Sequence, residues 1–235
     1  MRLDQYLARA VPCSRADAKK ILRAGRVQLG GTVCRDAGAF VAQGDAVAMD
    51  GVLLTVQEHV YIMLDKPAGV VSASRDGRDV TVVDLVSRAY PRRSLFPAGR
   101  LDKDSTGFVL VTDDGILAHR LLAPRRHVPK TYRVRLDCPV TAAMAAGFAA
   151  GVTLADGQRL APALLRAGPA PCEAEVVLTQ GVYHQIKRMF GTFGAGVAEL
   201  RRVAIGGLQL DEGLGPGGFR ELGPGEVARM LGEGQ

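Results

Sequence analysis

The chain has 235 residues, 47% of them hydrophobic and only 5% aromatic, with no Trp and a formal net charge of +6. That length suits one large domain or two smaller ones. No run of about 18 apolar residues predicts a membrane-spanning helix, and an N-terminus bearing Arg2 and Asp4 is unlike a signal peptide. The cysteines, Cys13, Cys34, Cys138 and Cys172, are far apart and form no C-x-x-C pair. This spacing argues against zinc and against a disulfide framework, and predicts reduced thiols in a cytoplasmic protein. Residues 1–35 hold eight Lys and Arg against Asp4 and Asp17, and the remainder of the chain is balanced. A basic end on a neutral body points to a polyanion-binding module. A solvated face is the alternative.

In chain order, Arg2 to Ala10 reads as a short helix with Leu3, Tyr6 and Leu7 on one side, interrupted by Pro12. Ser14 then caps a second helix, Arg15 to Ala24, which Gly25 ends. At 100° per residue, Arg15, Lys19, Lys20 and Arg23 share one arc, and Ala18, Ile21 and Leu22 the opposite one. Val27 to Leu29 and Thr32 to Cys34 flank Gly30-Gly31 as a hairpin, and Asp45 to Met49 adds a short strand. The Arg-Leu-Asp-x-Tyr-Leu start and the stretch from Ser14 and Arg15 to Val27 resemble the S4 RNA-binding domain. That resemblance implies that Arg2, Arg15, Lys19, Lys20, Arg23 and Arg26 hold RNA phosphates, contacts that position an RNA without reading its sequence.

Residues 52–59 read as a last strand and linker, which places the domain boundary at 58/59. Val60 to Leu64 forms a strand and Asp65 to Gly69 a turn. A helix over Val80 to Ala89 lies inside a polar loop whose Arg75, Arg78, Arg92 and Arg93 face either RNA or solvent. Gly99 to Gly115 follows, reading GRLDKDSTGFVLVTDDG. A charged loop here runs into Phe108-Val109-Leu110-Val111, apolar on both alternating faces, as in a strand buried on both sides. A carboxylate on that loop would be rigidly held, as a catalytic group must be; a simple turn role for Asp102 and Asp104 is the other reading. The spacing of Asp102, Asp104, Thr106, Gly107 and Asp113 also imitates a calcium loop. An EF-hand, however, needs a helix on each side and a bidentate Glu at its last position.

This stretch closely resembles the catalytic motif of RNA pseudouridine synthases, in the branch that modifies ribosomal RNA. The resemblance implies that Asp102 is the essential catalytic residue. It also brings in the segment Asp65-Lys66-Pro67-Ala68-Gly69, in which Asp65 stands where the family has Asn.

Downstream, Ile116 to Leu122 reads as a helix. Lys130 to Leu136 alternates, with Tyr132, Val134 and Leu136 on one face. Thr141 to Ala150 is a small-residue helix and Ala174 to Leu178 a strand. Ile186, Met189, Phe190 and Phe193 make an amphipathic helix, with Lys187 at the edge of the apolar stripe and His184 and Arg188 pointing away. Lys130-Thr131-Tyr132 and Gly181 to Met189 are similar to the second and third family motifs. By that similarity Tyr132 lies in the active site and Lys187 supplies the cation beside Asp102. His184 is expected to be structural or RNA-facing, and Gln180 replaces a family Glu. Arg201-Arg202 and Ile205 to Leu208 fit the family's closing strand, and the tail to Met230 ends in a short helix.

The resemblance implies an α+β fold: a small S4-like domain, residues 1–58, then a catalytic domain, residues 59–235, with a mixed, mainly antiparallel sheet flanked by helices. It implies isomerisation of uridine to pseudouridine in ribosomal RNA, with no cofactor and no metal. The base must leave the stack to be reached. Arg100 and Leu101 are the candidates for filling the gap. Compact length, the Thr-Asp-Asp-Gly after the central strand and the lack of a basic C-terminal extension resemble the family members that act on 16S rRNA. That resemblance implies 16S rRNA as substrate, bare or in a partly assembled small subunit, acted on by a monomer away from any membrane. A 23S rRNA enzyme of the same family, or a non-catalytic ribosome-assembly factor, are the alternatives.

Overall fold

The computed structural model describes every residue except 12, 43, 57, 92, 124–127, 234 and 235. The expectations placed on Pro12 and Arg92 therefore lie outside the described residues. The chain separates into two compact units, Met1–Glu58 and His59–Gln235.

In the first unit, α1 (Leu3–Ala10) and α2 (Arg15–Arg23) pack beside a four-stranded antiparallel sheet of β1 (Val27–Leu29), β2 (Thr32–Val33), β3 (Val47–Met49) and β4 (Val52–Leu54), in the order β2-β1-β3-β4. Ser14 caps α2 by accepting from Asp17 N. Leu3, Leu7, Ala18, Leu22, Val27 and Val47 are fully buried together. The apolar arc of α2 thus faces inward, which leaves its cations to solvent.

The second unit is built on a nine-stranded mixed sheet, mainly antiparallel. Its main path runs β13 (Phe219–Glu221), β5 (Tyr61–Lys66), β7 (Thr106–Thr112), β11 (Val197–Ile205), β8 (Lys130–Leu136), β10 (Glu173–Leu178), β9 (Leu164–Ala167). The short β6 (Phe96–Pro97) pairs with β7, and β12 (Leu208–Gln209) with β11. Among the described strands, only β7 and β11 pair in parallel, through Thr106 and Gly107 against Arg201 and Arg202. β7 is buried on both faces. Phe108 and Leu110 enter one hydrophobic cluster, Val109 and Val111 another. The helices are α3 (Val82–Val86), α4 (Gly115–Leu122), α5 (Ala142–Ala150), α6 (Gln185–Gly191) and α7 (Pro224–Leu231). No helix among the described residues is long and apolar enough to cross a membrane.

Three local expectations are corrected. Asp65 and Lys66 do not open a turn; they are the last two residues of β5. The helix expected over Val80 to Ala89 is only Val82–Val86, because Thr81 and Asp84 form a capping box that fixes its start. The closing strand is a hairpin, β11 to β12, which turns at Gly206 (φ +56°). A side chain at Gly206 would collide with the backbone of Met230 at the end of α7.

Candidate active site

Gly107 connects the loop carrying Asp102 to the central strand. Its φ of +101° lies in a region that disfavours side chains. A Cβ there would stand 2.9 Å from Arg202 N and closer still to the Arg202 carbonyl oxygen. Glycine therefore lets β7 and β11 approach just behind the loop.

The loop is held from below by Lys66, whose side chain has no solvent exposure. Its ammonium donates to the carbonyls of Pro67 (3.0 Å), Lys103 (3.2 Å) and Ser105 (2.6 Å). Burial pushes its pKa down to about 8, with Asp104 and Asp102 opposing that fall. A buried cation needs such a full set of acceptors. Next to it, the buried Asp65 carboxylate accepts a two-pronged contact from Arg201, 3.0 and 2.8 Å. The Asp that stands for the family Asn is thus half of an ion pair tying β5 to β11. Arg202, 3% exposed, donates from Nε to Phe108 O (2.6 Å) and from Nη1 to Arg100 O (3.3 Å). Leu101 is buried, and its backbone exchanges two bonds with the Ser72 hydroxyl. Its side chain anchors the loop, while Arg100 is exposed.

Above this base lies a cavity of about 630 Å³ whose lining includes Arg100, Leu101, Asp102, Tyr132, Tyr183, His184 and Arg202. Tyr132, half-buried on β8, sits opposite Arg202 on β11 and Val176 on β10. Lys130, two residues earlier, also lines the cavity and donates to Val128 O at 2.8 Å; burial pushes its pKa down to about 8. Lys187 brings its Nζ to 2.7 Å from Asp104 Oδ2 and to 3.7 Å from Asp102 Oδ2. Its tighter partner is Asp104, whose carboxyl this bond holds below the usual range.

His184, expected to be structural or RNA-facing, lies beside the candidate carboxylate. Its Nε2 lies 3.3 Å from Asp102 Oδ1. It adopts a left-handed conformation, φ +49°, as the N-cap of α6. The preceding turn is shaped by amide contacts. Val182 N donates to Gln185 Oε1, and Gln180 Oε1 accepts from Ala161 N and Gln185 Nε2. Gln180, in place of the family Glu, thus serves as an acceptor in that turn. Arg188 points elsewhere, to Asp156.

In the first unit, Arg2, Lys19, Arg23 and Arg35 line a crevice of about 430 Å³. Three of these were expected from the sequence, and Arg35 is added. Arg15 is exposed but does not line the crevice. Lys20 pairs with Asp17 at 3.4 Å, and Arg26 makes a forked pair with Asp50.

Comparison with known proteins gives this site its context. The RNA pseudouridylate synthase family matches residues 60–192, and the S4 domain matches residues 1–47. The chain is 40% identical over 226 residues to an uncharacterized RNA pseudouridine synthase of Bacillus subtilis, covering 94% of this chain and 95% of that one. It is 40% identical over 233 residues to ribosomal small subunit pseudouridine synthase A of Escherichia coli K12, covering 98% and 100%. A crystal structure of a pseudouridylate synthase superposes with a TM-score of 0.69 at 34% identity, over 98% of this chain and 99% of that one. The chain therefore belongs to the RNA pseudouridine synthase family, with an S4 domain at its N-terminus.

Proposed function

We propose that this enzyme converts one specific uridine of 16S rRNA to pseudouridine, with Asp102 as the catalytic carboxylate. The observation that carries the reading is the placement of Asp102: on a loop fixed by Lys66 and Gly107, inside a cavity, with His184 Nε2 and Lys187 Nζ flanking its two oxygens. The small-subunit assignment is supported by relatives that carry that name and align over almost the full chain.

The reaction breaks the N1–C1′ bond, turns the uracil and forms a C5–C1′ bond. C5 loses its proton and N1 gains one, so nothing is oxidised and no group enters. No cofactor chemistry is called for. Asp102 has two available routes, attack on C1′ and proton removal, and both use its ionised form. Lys187 Nζ, 3.7 Å from Oδ2, is the charge partner that positions it. Tyr132 forms the wall against which the uracil stacks. Exposed Arg100, beside Asp102, fills the gap left in the RNA when the base is turned out. The crevice of Arg2, Lys19, Arg23 and Arg35 holds RNA backbone, so the first unit binds and the second reacts.

The test is tritium release from RNA labelled at uridine C5, in the presence of a chelator. Full-length 16S and 23S transcripts are compared, bare and bound by ribosomal proteins. Release from 16S RNA alone is the expected result. Release from 23S RNA alone would reassign the target. Tight binding without release from any RNA would favour an assembly factor that retains the fold.

A further inference from the structure

Tyr183 is one of five tyrosines in the chain, and the residue is 69% exposed. A single exposed aromatic ordinarily needs no explanation. This one is pinned. Its ring lies face to face with the His184 imidazole, centroids 3.8 Å apart and planes 16° apart. His184 is itself fixed in a left-handed conformation and stands 3.3 Å from Asp102. Both residues line the cavity that holds Asp102. One face of Tyr183 is thus covered by a rigid partner, and the other is open at the cavity rim.

We propose that the open face of Tyr183 is a stacking platform for an unpaired nucleobase neighbouring the target uridine. The inference rests on the function proposed above and names a contact on the RNA beyond the reacting base. Single-stranded RNA is gripped by aromatic side chains under its splayed bases, and a pre-ordered ring loses little freedom on binding. A base on the open face of Tyr183 is set off from His184, the residue that meets Asp102, by the thickness of the tyrosine ring. That is the place of an adjacent nucleotide rather than of the uracil in the cavity. A base on Tyr183 would complete a three-ring stack ending on the imidazole beside Asp102. Tyr183 is then a binding residue, and His184 a positioning residue that joins the platform to the reacting carboxylate.

The absence of Trp from the chain supplies the test. Tyr183→Trp places a single fluorophore at the platform. It is titrated with a short oligouridylate, and separately with a strand of abasic ribose-phosphates of equal length. Quenching by the oligouridylate but not by the abasic strand is expected. Equal quenching by both, or none by either, would overturn the proposal. In the otherwise native chain, Tyr183→Ala should weaken oligouridylate binding by roughly 5- to 150-fold, the worth of one stacked base, with an unchanged salt slope. Tyr183→Phe, which keeps the ring, should restore wild-type affinity. An alanine variant that binds as tightly as wild type would contradict the platform. Tritium release measured alongside separates the two ideas. Turnover of Tyr183→Trp without base-dependent quenching overturns the platform alone, and base-dependent quenching without turnover by the wild type overturns the proposed reaction alone.

Discussion

Lys187 Nζ is 2.7 Å from Asp104 Oδ2, a full ångström closer than it is to Asp102. Asp104 is the more exposed of the two carboxylates. It behaves as a tether for the lysine beside Asp102. Removing the cation strips Asp102 of a charge partner, whereas removing the tether leaves Lys187 free to move toward Asp102. Lys187→Met should therefore lower the single-turnover rate by about 10²-fold or more, the scale on which removing one electrostatic partner acts. Asp104→Asn should change it by less than about 5-fold, a surface ion pair being worth about 1 kcal/mol or less. A rate in Asp104→Asn as low as in Lys187→Met would make Asp104 part of the reacting group.

Lys66 should leave a mark on the pH dependence of stability. Its pKa is about 8 in the folded chain and 10.5 when exposed. Between those values the unfolded chain binds more protons than the folded one, so this residue makes stability rise with pH across that window. Lys66→Met should be less stable at neutral pH, with its three carbonyl acceptors left unpaired, and should show a shallower rise from about pH 8 to pH 10.5. Urea unfolding at several pH values measures both. An unchanged slope in the variant would mean that Lys66 is not the group responsible.

Gly107→Ala should be damaging out of proportion to one methyl group. The backbone is in a conformation that a side chain resists, and the new Cβ would meet Arg202. A loss of more than about 2 kcal/mol is expected in urea unfolding, with activity falling alongside as the Asp102 loop is displaced. Wild-type stability in this variant would show that β7 and β11 can separate freely.

The crevice of the first unit predicts how RNA affinity responds to salt. Neutralising Lys19, Arg23 and Arg35 together should weaken binding and flatten the dependence on salt, by about 0.7 in log–log slope for each phosphate no longer neutralised. Arg26→Ala, which breaks the pair with Asp50, should alter the slope less. Filter binding at several ionic strengths gives these slopes. An unchanged slope in the triple variant would remove the crevice from the RNA interface.

The central strand was legible in the sequence because β7 is apolar on both faces and needs no partner to be recognised. The cationic face of α2 was legible for a similar reason: one turn of arithmetic separates Ala18 and Leu22 from Lys19 and Arg23. What escaped depends on distant partners. The three-residue β13 is recognisable only through its pairing with β5. Lys66 meets Ser105 39 positions away, and Arg201 meets Asp65 across 136. Sequence spacing carries no trace of such contacts. The place of His184 beside Asp102 escaped for a different reason. Helical geometry directed it away from the apolar stripe, but α6 begins at Gln185. His184 therefore precedes the helix, in a left-handed conformation to which the helical wheel does not apply.

The most direct test of the account compares wild type and Asp102→Asn at saturating 16S transcript labelled at uridine C5, with bound RNA and released tritium read from the same sample. The account predicts equal binding and release by the wild type only. Release by Asp102→Asn at the wild-type rate would contradict it and move the catalytic role away from Asp102.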